Sequence, residues 1–87
     1  VAAALEYIAA HSHRRIGPAD VARAAGAETR TLQNHFRKAL NRPIAAEIRR
    51  VRLERAKREL AQGDRPLAAI ARDAGFGTIQ RLYEVFR

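Results

Sequence analysis

Hydrophobic and polar positions alternate with the period of an α-helix through the first 40 residues. An amphipathic first helix is predicted over residues 1–13, because four apolar residues occur there at helical spacing: Val1, Ala4, Leu5 and Ile8. A short second helix is predicted over residues 18–25, because it begins at a proline in the favoured first turn and stops at Gly26. A third helix is predicted over residues 29–40. Abundant alanine and few aromatic residues agree with this pattern, so we expect an all-α fold.

The third predicted helix has one apolar face and one polar face. Leu32, Phe36 and Leu40 point one way. The opposite face carries Arg30, Gln33, Asn34 and Arg37. Arginine pairs with guanine, and glutamine or asparagine with adenine, through two hydrogen bonds each in the major groove. A short helix, a glycine turn and a helix with such a face form the helix-turn-helix pattern, whereas the surface helix of an ordinary bundle would more commonly carry Glu and Lys.

The middle of the chain predicts one long helix. Residues 43–62 have no glycine and no proline after Pro43, and the stretch ends at Gly63. Its apolar residues form two groups about 145° apart around the helix axis. The first half contributes Ile44, Ile48 and Val51, and the second half contributes Leu53, Ala56 and Leu60. We therefore expect two separate cores, with one small helical unit at each end of this helix.

The pattern of the first half is repeated after the long helix. The segment from Val21 to Gly26 (VARAAG) returns 49 residues later as residues 70–75 (IARDAG). Leu32 and Phe36 return 50 residues later as Leu82 and Phe86. Such an internal duplication predicts a second helix-turn-helix unit, with one extra residue in its turn.

The last predicted helix, residues 79–87, follows Thr78, which is a good N-cap. Three apolar residues are expected to point inward: Leu82, Val85 and Phe86. The positions that correspond to the polar face of the third helix carry Gln80, Tyr83, Glu84 and Arg87.

Three residues on or beside this second face have two interpretations each. Ile79 lies between the faces and could touch a thymine methyl group or pack against the core. Glu84 could accept a hydrogen bond from cytosine N4, or it could pair with Arg81 or Arg87 one turn away. Tyr83 could donate to a phosphate rather than read a base.

The charge of the chain points to nucleic acid. Its 87 residues contain 17 basic and 9 acidic residues, a net charge of +8, and 15 of the basic residues are arginine. The planar fork of arginine matches phosphate and the edge of guanine. The alternative is a GC-rich genome that encodes arginine in place of lysine, with the charge simply solvated. The chain has no cysteine, no apolar run long enough for a membrane and no signal peptide, which is compatible with a cytoplasmic protein.

Two motifs make the chain resemble a known family. Residues 50–57 read R-x-R-L-E-x-A-K, and residues 70–87 read IARDAGFGTIQRLYEVFR. Both are similar to the DNA-binding domain of the AraC/XylS family of bacterial transcription regulators. The resemblance implies two homeodomain-like helix-turn-helix units joined by a long linker helix, with boundaries at residues 1–42, 43–62 and 63–87. The spacing of Gln80, Tyr83 and Val85-Phe86 is similar to the branch of xylose-operon activators.

The resemblance implies sequence-specific binding to two successive major grooves of promoter DNA. Carried over by position, the base-reading residues are Arg30, Gln33, Asn34, Ile79, Gln80, Tyr83 and Glu84. Phosphate contacts are predicted at Thr31, Arg37, Arg81 and Arg87. The full regulator is expected to be a dimer that recruits RNA polymerase as an activator, here of sugar metabolism. The family continues past this point with a further short helix, so we expect the second unit to be truncated here. We also expect the isolated fragment to be a monomer.

Two other classes of function stay open at this stage. One is a non-specific basic module that binds nucleic acid, and the other is a helical protein-interaction domain. An enzyme is not expected, because the chain has no nucleophile–base pair, carboxylate dyad or phosphate-binding glycine loop. No cofactor and no metal site are expected, since His11 and His13 are two residues apart and fall on different faces of a helix.

Overall fold

A computed structural model describes the backbone of residues 1–86 and the side chains of residues 1–85. This range contains helices and no strand, which confirms the all-α fold. The helices are α1 (Ala2–His11), α2 (Pro18–Ala24), α3 (Thr29–Leu40), α4 (Ile44–Gln62), α5 (Leu67–Asp73) and α6 (Ile79–Phe86).

The first hydrophobic core is formed by α1, α2 and α3 against the N-terminal half of α4. Its fully buried members come from all four helices: Ala4, Ile8, Val21, Ala22, Leu32, Phe36, Ile44 and Ile48. Val51 is half-buried at its edge. Burying a large aliphatic or aromatic side chain contributes about 1.5–3 kcal/mol, so this cluster is the main source of stability for the first unit.

The second core is smaller and joins α5 and α6 to the C-terminal half of α4. Its buried members are Ala56, Ile70, Ala71, Ala74, Phe76 and Leu82, and Leu53 packs against them. Apart from Leu60, the two groups of apolar residues on α4 therefore face two different cores, as predicted. The boundaries at residues 42/43 and 62/63 stay predictions.

Some details of the sequence prediction are wrong. Leu60 is 38% exposed, because the contribution of α4 to the second core ends at Ala56. Val85 is 39% exposed rather than inward, and the predicted burial of the Phe86 side chain lies outside the described residues. Helix α1 stops at His11 instead of residue 13.

The duplication is visible in the hydrogen bonds of the two turns. In the first turn Ala25 N donates to Val21 O at 3.0 Å and Ala27 N donates to Ala22 O at 3.0 Å. The same two bonds recur in the second turn, one from Ala74 N to Ile70 O at 2.9 Å and one from Phe76 N to Ala71 O at 2.8 Å. The backbone thus takes the same path twice.

Two helix starts have side-chain caps that hold them in place. Gly17 N donates to the Asp20 carboxylate at 2.8 Å at the beginning of α2. At the beginning of α6, Arg81 N donates to Thr78 Oγ1 at 3.2 Å, which confirms Thr78 as an N-cap. A side-chain cap of this kind is typically worth about 1 kcal/mol.

Candidate nucleic-acid interface

The polar face of α3 is exposed to solvent. Leu32 and Phe36 are buried at 2% and 0% exposure and fix the rotation of the helix about its axis. Four of the residues predicted to contact DNA consequently lie on the outside: Arg30, Thr31, Asn34 and Arg37. Among the described residues neither arginine has an ion-pair partner, and none of the four side chains forms a hydrogen bond, so their donors and acceptors are available for a ligand.

Gln33 differs from the other residues of this face. Its side chain is half-buried, and Oε1 accepts a hydrogen bond at 3.0 Å from Ile44 N, the first residue of α4. The N-cap of α4 is Pro43, whose side chain has no polar atom, so Gln33 supplies the missing cap. The prediction that Gln33 reads a base must therefore be revised, because its amide oxygen already has a structural partner.

The corresponding face of α6 is exposed as well. Gln80, Tyr83 and Glu84 are open to solvent, with Tyr83 at 55%, whereas Ile79 is half-buried. Glu84 forms no ion pair with Arg81 in the described part of the chain. Leu82 is fully buried and turns this face outward, as Leu32 does in α3.

Arg81 and Arg87 are the two phosphate contacts predicted in the second unit. Arg81 is exposed near the start of α6. Arg87 lies outside the described residues, so its predicted contact with a phosphate remains a prediction from the sequence.

Arg52 of α4 holds the end of α1. Its Nε donates to Ser12 O at 2.7 Å, and its Nη2 donates to Arg14 O at 2.8 Å. Both carbonyl groups lie in the loop that follows α1, so Arg52 satisfies two backbone acceptors just beyond the end of that helix. Burial lowers the pKa of the Arg52 guanidinium, which remains charged at neutral pH. Arg52 thus links two parts of the chain that are 40 residues apart.

Gly75, in the turn between α5 and α6, lies against this contact. A Cβ atom at this position would be 2.5 Å from Ser12 O and 2.7 Å from Arg52 Nε, and the φ angle is +98°. Only glycine meets both conditions without a shift of its neighbours. Ser12, Arg52 and Gly75 form a joint between the two helix-turn-helix units, and we call this set of residues the inter-unit joint.

A buried carboxylate organises the first turns of α4. Glu47 is 3% exposed and pairs with Arg50 Nη2 at 2.7 Å and with Arg42 Nη1 at 3.1 Å. The hydrogen bond to Glu47 raises the pKa of Arg50. Two arginines near the end of α3 and the start of α4 are therefore committed to structure rather than to a ligand.

The structural roles of these residues were not predicted from the sequence. The arginines of α4 entered the prediction only through the net charge, and charge alone does not distinguish a residue that bonds to the protein from one that faces solvent. The only sequence signal was the position of Arg52 within the R-x-R-L-E motif. Gly75 looked like an equivalent of Gly26, yet a Cβ atom on Gly26 would have no atom within 4 Å.

Residues 1–86 contain neither a candidate membrane span nor a candidate metal site. No helix in this range combines the length and the hydropathy that a membrane span requires. No three His, Asp or Glu side chains in the same range come close enough together to hold a metal ion.

A family model described as a helix-turn-helix domain matches residues 21–87, which extend from α2 through both predicted reading helices. No curated protein and no solved structure matches the chain.

Proposed function

Because the chain belongs to the AraC-type helix-turn-helix family of DNA-binding domains, we propose that it binds double-stranded DNA sequence-specifically through α3 and α6. Each of these helices is the second helix of one copy of the duplicated unit, and each has a polar face directed to solvent. In this proposal the two helices enter successive major grooves on one side of the duplex.

The observation that carries the proposal is the pair of equivalent exposed faces. On α3, base readout falls to Arg30 and Asn34. On α6 it falls to Gln80, Tyr83 and Glu84, with Ile79 at the edge. Arginine, asparagine and glutamine side chains have donor and acceptor patterns that distinguish one base pair from another. A helix face that is only exposed to water needs charged residues but no such pattern.

The dimensions of the molecule support the binding of two grooves. The Cα atoms extend over 39 Å along the longest axis. Successive major grooves on one side of B-DNA are about 34 Å apart, so a molecule of this length can reach both. The inter-unit joint supports a fixed angle between the two units, because two hydrogen bonds and a close backbone contact hold them together.

Phosphate contacts in this proposal fix the position of the protein without reading sequence. Thr31 and Arg37 serve this role beside α3, and Arg81 serves it beside α6. Arg87 is included on the basis of the sequence alone.

Selection of binding sites from a random duplex pool tests the proposal. We expect one bipartite site with half-elements about ten base pairs apart. The absence of any enriched sequence would contradict sequence-specific binding and would favour a non-specific basic module.

Arg30→Ala, with Arg58→Ala as a matched control, tests the reading face directly. We expect Arg30→Ala to cost about 1–3 kcal/mol on the selected site and to relax the preference at one base pair. Arg58 is an exposed arginine of α4 outside both faces, so its loss is expected to leave the sequence preference unchanged. An equal loss of affinity on selected and random DNA after Arg30→Ala would contradict the role of Arg30 in readout.

The wider role follows from the family. The domain acts in a transcription regulator, and we propose that the whole regulator binds promoter DNA in the cytoplasm as a dimer and recruits RNA polymerase. Activation of a sugar operon rests only on the spacing of Gln80, Tyr83 and Val85-Phe86. The chain is not proposed to catalyse a reaction or to require a cofactor.

A further inference from the structure

A basic groove lies between the two helix-turn-helix units. It has a volume of about 410 Å³ and is lined by the loop after α1, the middle of α4, the end of α5, the turn that follows it and the start of α6. Five arginines contribute to its walls: Arg14, Arg15, Arg52, Arg72 and Arg81. No Asp or Glu lines it. We call this feature the inter-unit groove.

The positive charge of the inter-unit groove is largely uncompensated. In the described part of the chain, Arg72 is the only one of the five with a carboxylate within ion-pair distance, which is that of Asp73 at 3.5 Å. Arg52 donates to backbone carbonyl groups, and these leave its charge in place. Like charges brought together repel each other, and a bound anion would remove that cost.

The shape of the groove fits a phosphate group. Gly77 lines one wall with a positive φ, and a Cβ atom there would meet no atom within 4 Å, whereas the neighbouring Gly75 is covered by Ser12 O and Arg52 Nε. A ligand can therefore approach the backbone closely at this turn. Guanidinium groups match the tetrahedral oxygens of phosphate in a two-bond geometry.

The position of the groove indicates which phosphate it would hold. It is lined by the loop after α1 on the side of the first unit, and on the side of the second unit by Arg81, which belongs to the first turn of the reading helix α6. DNA that occupies both reading helices must pass between them. A smaller adjoining hollow of about 230 Å³ shares Arg52 and Arg81 and includes Glu84.

We propose that the inter-unit groove is a phosphate site that receives the DNA backbone between the two base-reading half-elements. This rests on the proposed function for the identity of the DNA, whereas the phosphate chemistry rests on the groove alone. Arg14, Arg15 and Arg72 are the contacting residues, and Arg52 keeps the walls together.

Salt dependence of binding to random duplex DNA tests the groove. The variants are Arg14→Gln and Arg72→Gln, singly and together, with Arg58→Gln as a control that removes the same charge outside the groove. All three side chains are exposed, so the fold is expected to tolerate the changes. Each groove variant should lower the slope of log Kobs against log[salt] by about 0.9 per lost phosphate contact, and Arg58→Gln should not.

A second arm distinguishes DNA from a small phosphate compound. Inorganic pyrophosphate is titrated into the free protein while the amide resonances of Gly75 and Gly77 are followed by NMR. In one outcome, pyrophosphate shifts these resonances in the parent protein and not in the groove variants, while the slope of log Kobs against log[salt] for DNA is the same in both. That result supports the phosphate site and assigns it to a free ligand instead of DNA. Groove variants that match Arg58→Gln in both arms would overturn the proposal. Random DNA and pyrophosphate do not depend on base readout, so this result is independent of the selection experiment.

Discussion

The side chain of Gln33 joins two helices that the sequence pattern treats separately. By its spacing it belongs to the polar face of α3, and the alternation of apolar residues placed that face correctly. Its hydrogen bond to Ile44 N, however, connects residues 11 positions apart across a loop. Helical periodicity contains no information on such a contact, because the path of the loop decides which side chain reaches the open end of the next helix.

Gln33→Ala distinguishes the two roles of this residue. We expect it to lower the free energy of unfolding by about 1 kcal/mol, because α4 loses its cap. We also expect DNA affinity to fall by a similar factor on selected and random sequences. Urea denaturation and binding to both duplexes measure these quantities.

Asn34→Ala is the matched control, since Asn34 is exposed on the neighbouring position of the same face. It should leave stability within about 0.5 kcal/mol and relax the preference at one base pair. A Gln33 variant that behaves like the Asn34 variant would restore Gln33 to base readout.

At the level of the element, α4 is organised by two apolar stripes. Both stripes were predicted from the sequence, because each residue of an α-helix is rotated by about 100° from the one before, which assigns every position to a face of the helix. It did not predict where the second stripe ends. Leu60 continues the spacing but is exposed, because the short helices of the second unit pack no further along α4 than Ala56.

Val51→Asp and Leu53→Asp should damage different halves of the protein. Both residues are half-buried, Val51 against the first core and Leu53 against the second. We expect Val51→Asp to lower amide-exchange protection around Ile8 and Leu32. Leu53→Asp should do so around Ile70 and Leu82. Leu60→Asp is the control and should change little. Loss of protection in the same half after both substitutions would show that α4 serves one core.

The segment between α4 and α5 is held by a pH-sensitive ion pair. Arg65 contacts both Glu59 and Asp73. The hydrogen bond from Arg65 lowers the pKa of the Asp73 carboxyl group from its ordinary value. An aspartate with a lowered folded-state pKa contributes stability that is complete above its unfolded pKa of about 3.9. That contribution decreases as the pH falls through the lower, folded-state pKa.

Asp73→Asn should therefore reduce the decrease in the free energy of unfolding that the protein shows as the pH becomes acidic. We expect the variant to be less stable than the parent protein at pH 6, and the difference to shrink as the pH falls below the ordinary aspartate pKa of about 3.9 and through the lower, folded-state pKa of Asp73. The midpoints of urea denaturation of both proteins, measured from pH 6 down to acidic pH, test this prediction. Parallel curves for the two proteins would contradict a role for the Asp73 ion pair.

For the whole molecule, the angle between the two units depends on the inter-unit joint. The duplication predicted two similar units, and the hydrogen bonds of the two turns agree. How the units are fixed to each other could not be predicted, because Ser12, Arg52 and Gly75 belong to three separate segments. A sequence repeat predicts the fold of each copy. It does not predict the contacts between the copies, which form only when both have folded.

Gly26→Ala and Gly75→Ala form a matched pair that tests the joint. Both glycines have positive φ, so each substitution is expected to cost about 1–2 kcal/mol from backbone strain. Only Gly75→Ala also places a methyl group against Ser12 O and Arg52 Nε. We expect this variant to lose more stability and to tolerate a wider range of spacings between half-elements in DNA selection. Equal behaviour of the two variants would mean that the joint does not set the angle.

The difference between the two glycines has a consequence for how the copies can evolve. After a duplication, both copies begin with the same freedom to change. In the first copy, Gly26 satisfies only the conformation of its own turn. In the second, Gly75 also lies against the Ser12 carbonyl oxygen and the Arg52 side chain, so we expect substitutions at positions 52 and 75 to be correlated among descendants of the same ancestor, whereas position 12 contributes only a backbone atom. The second turn should drift more slowly than the first, although both arose from one sequence.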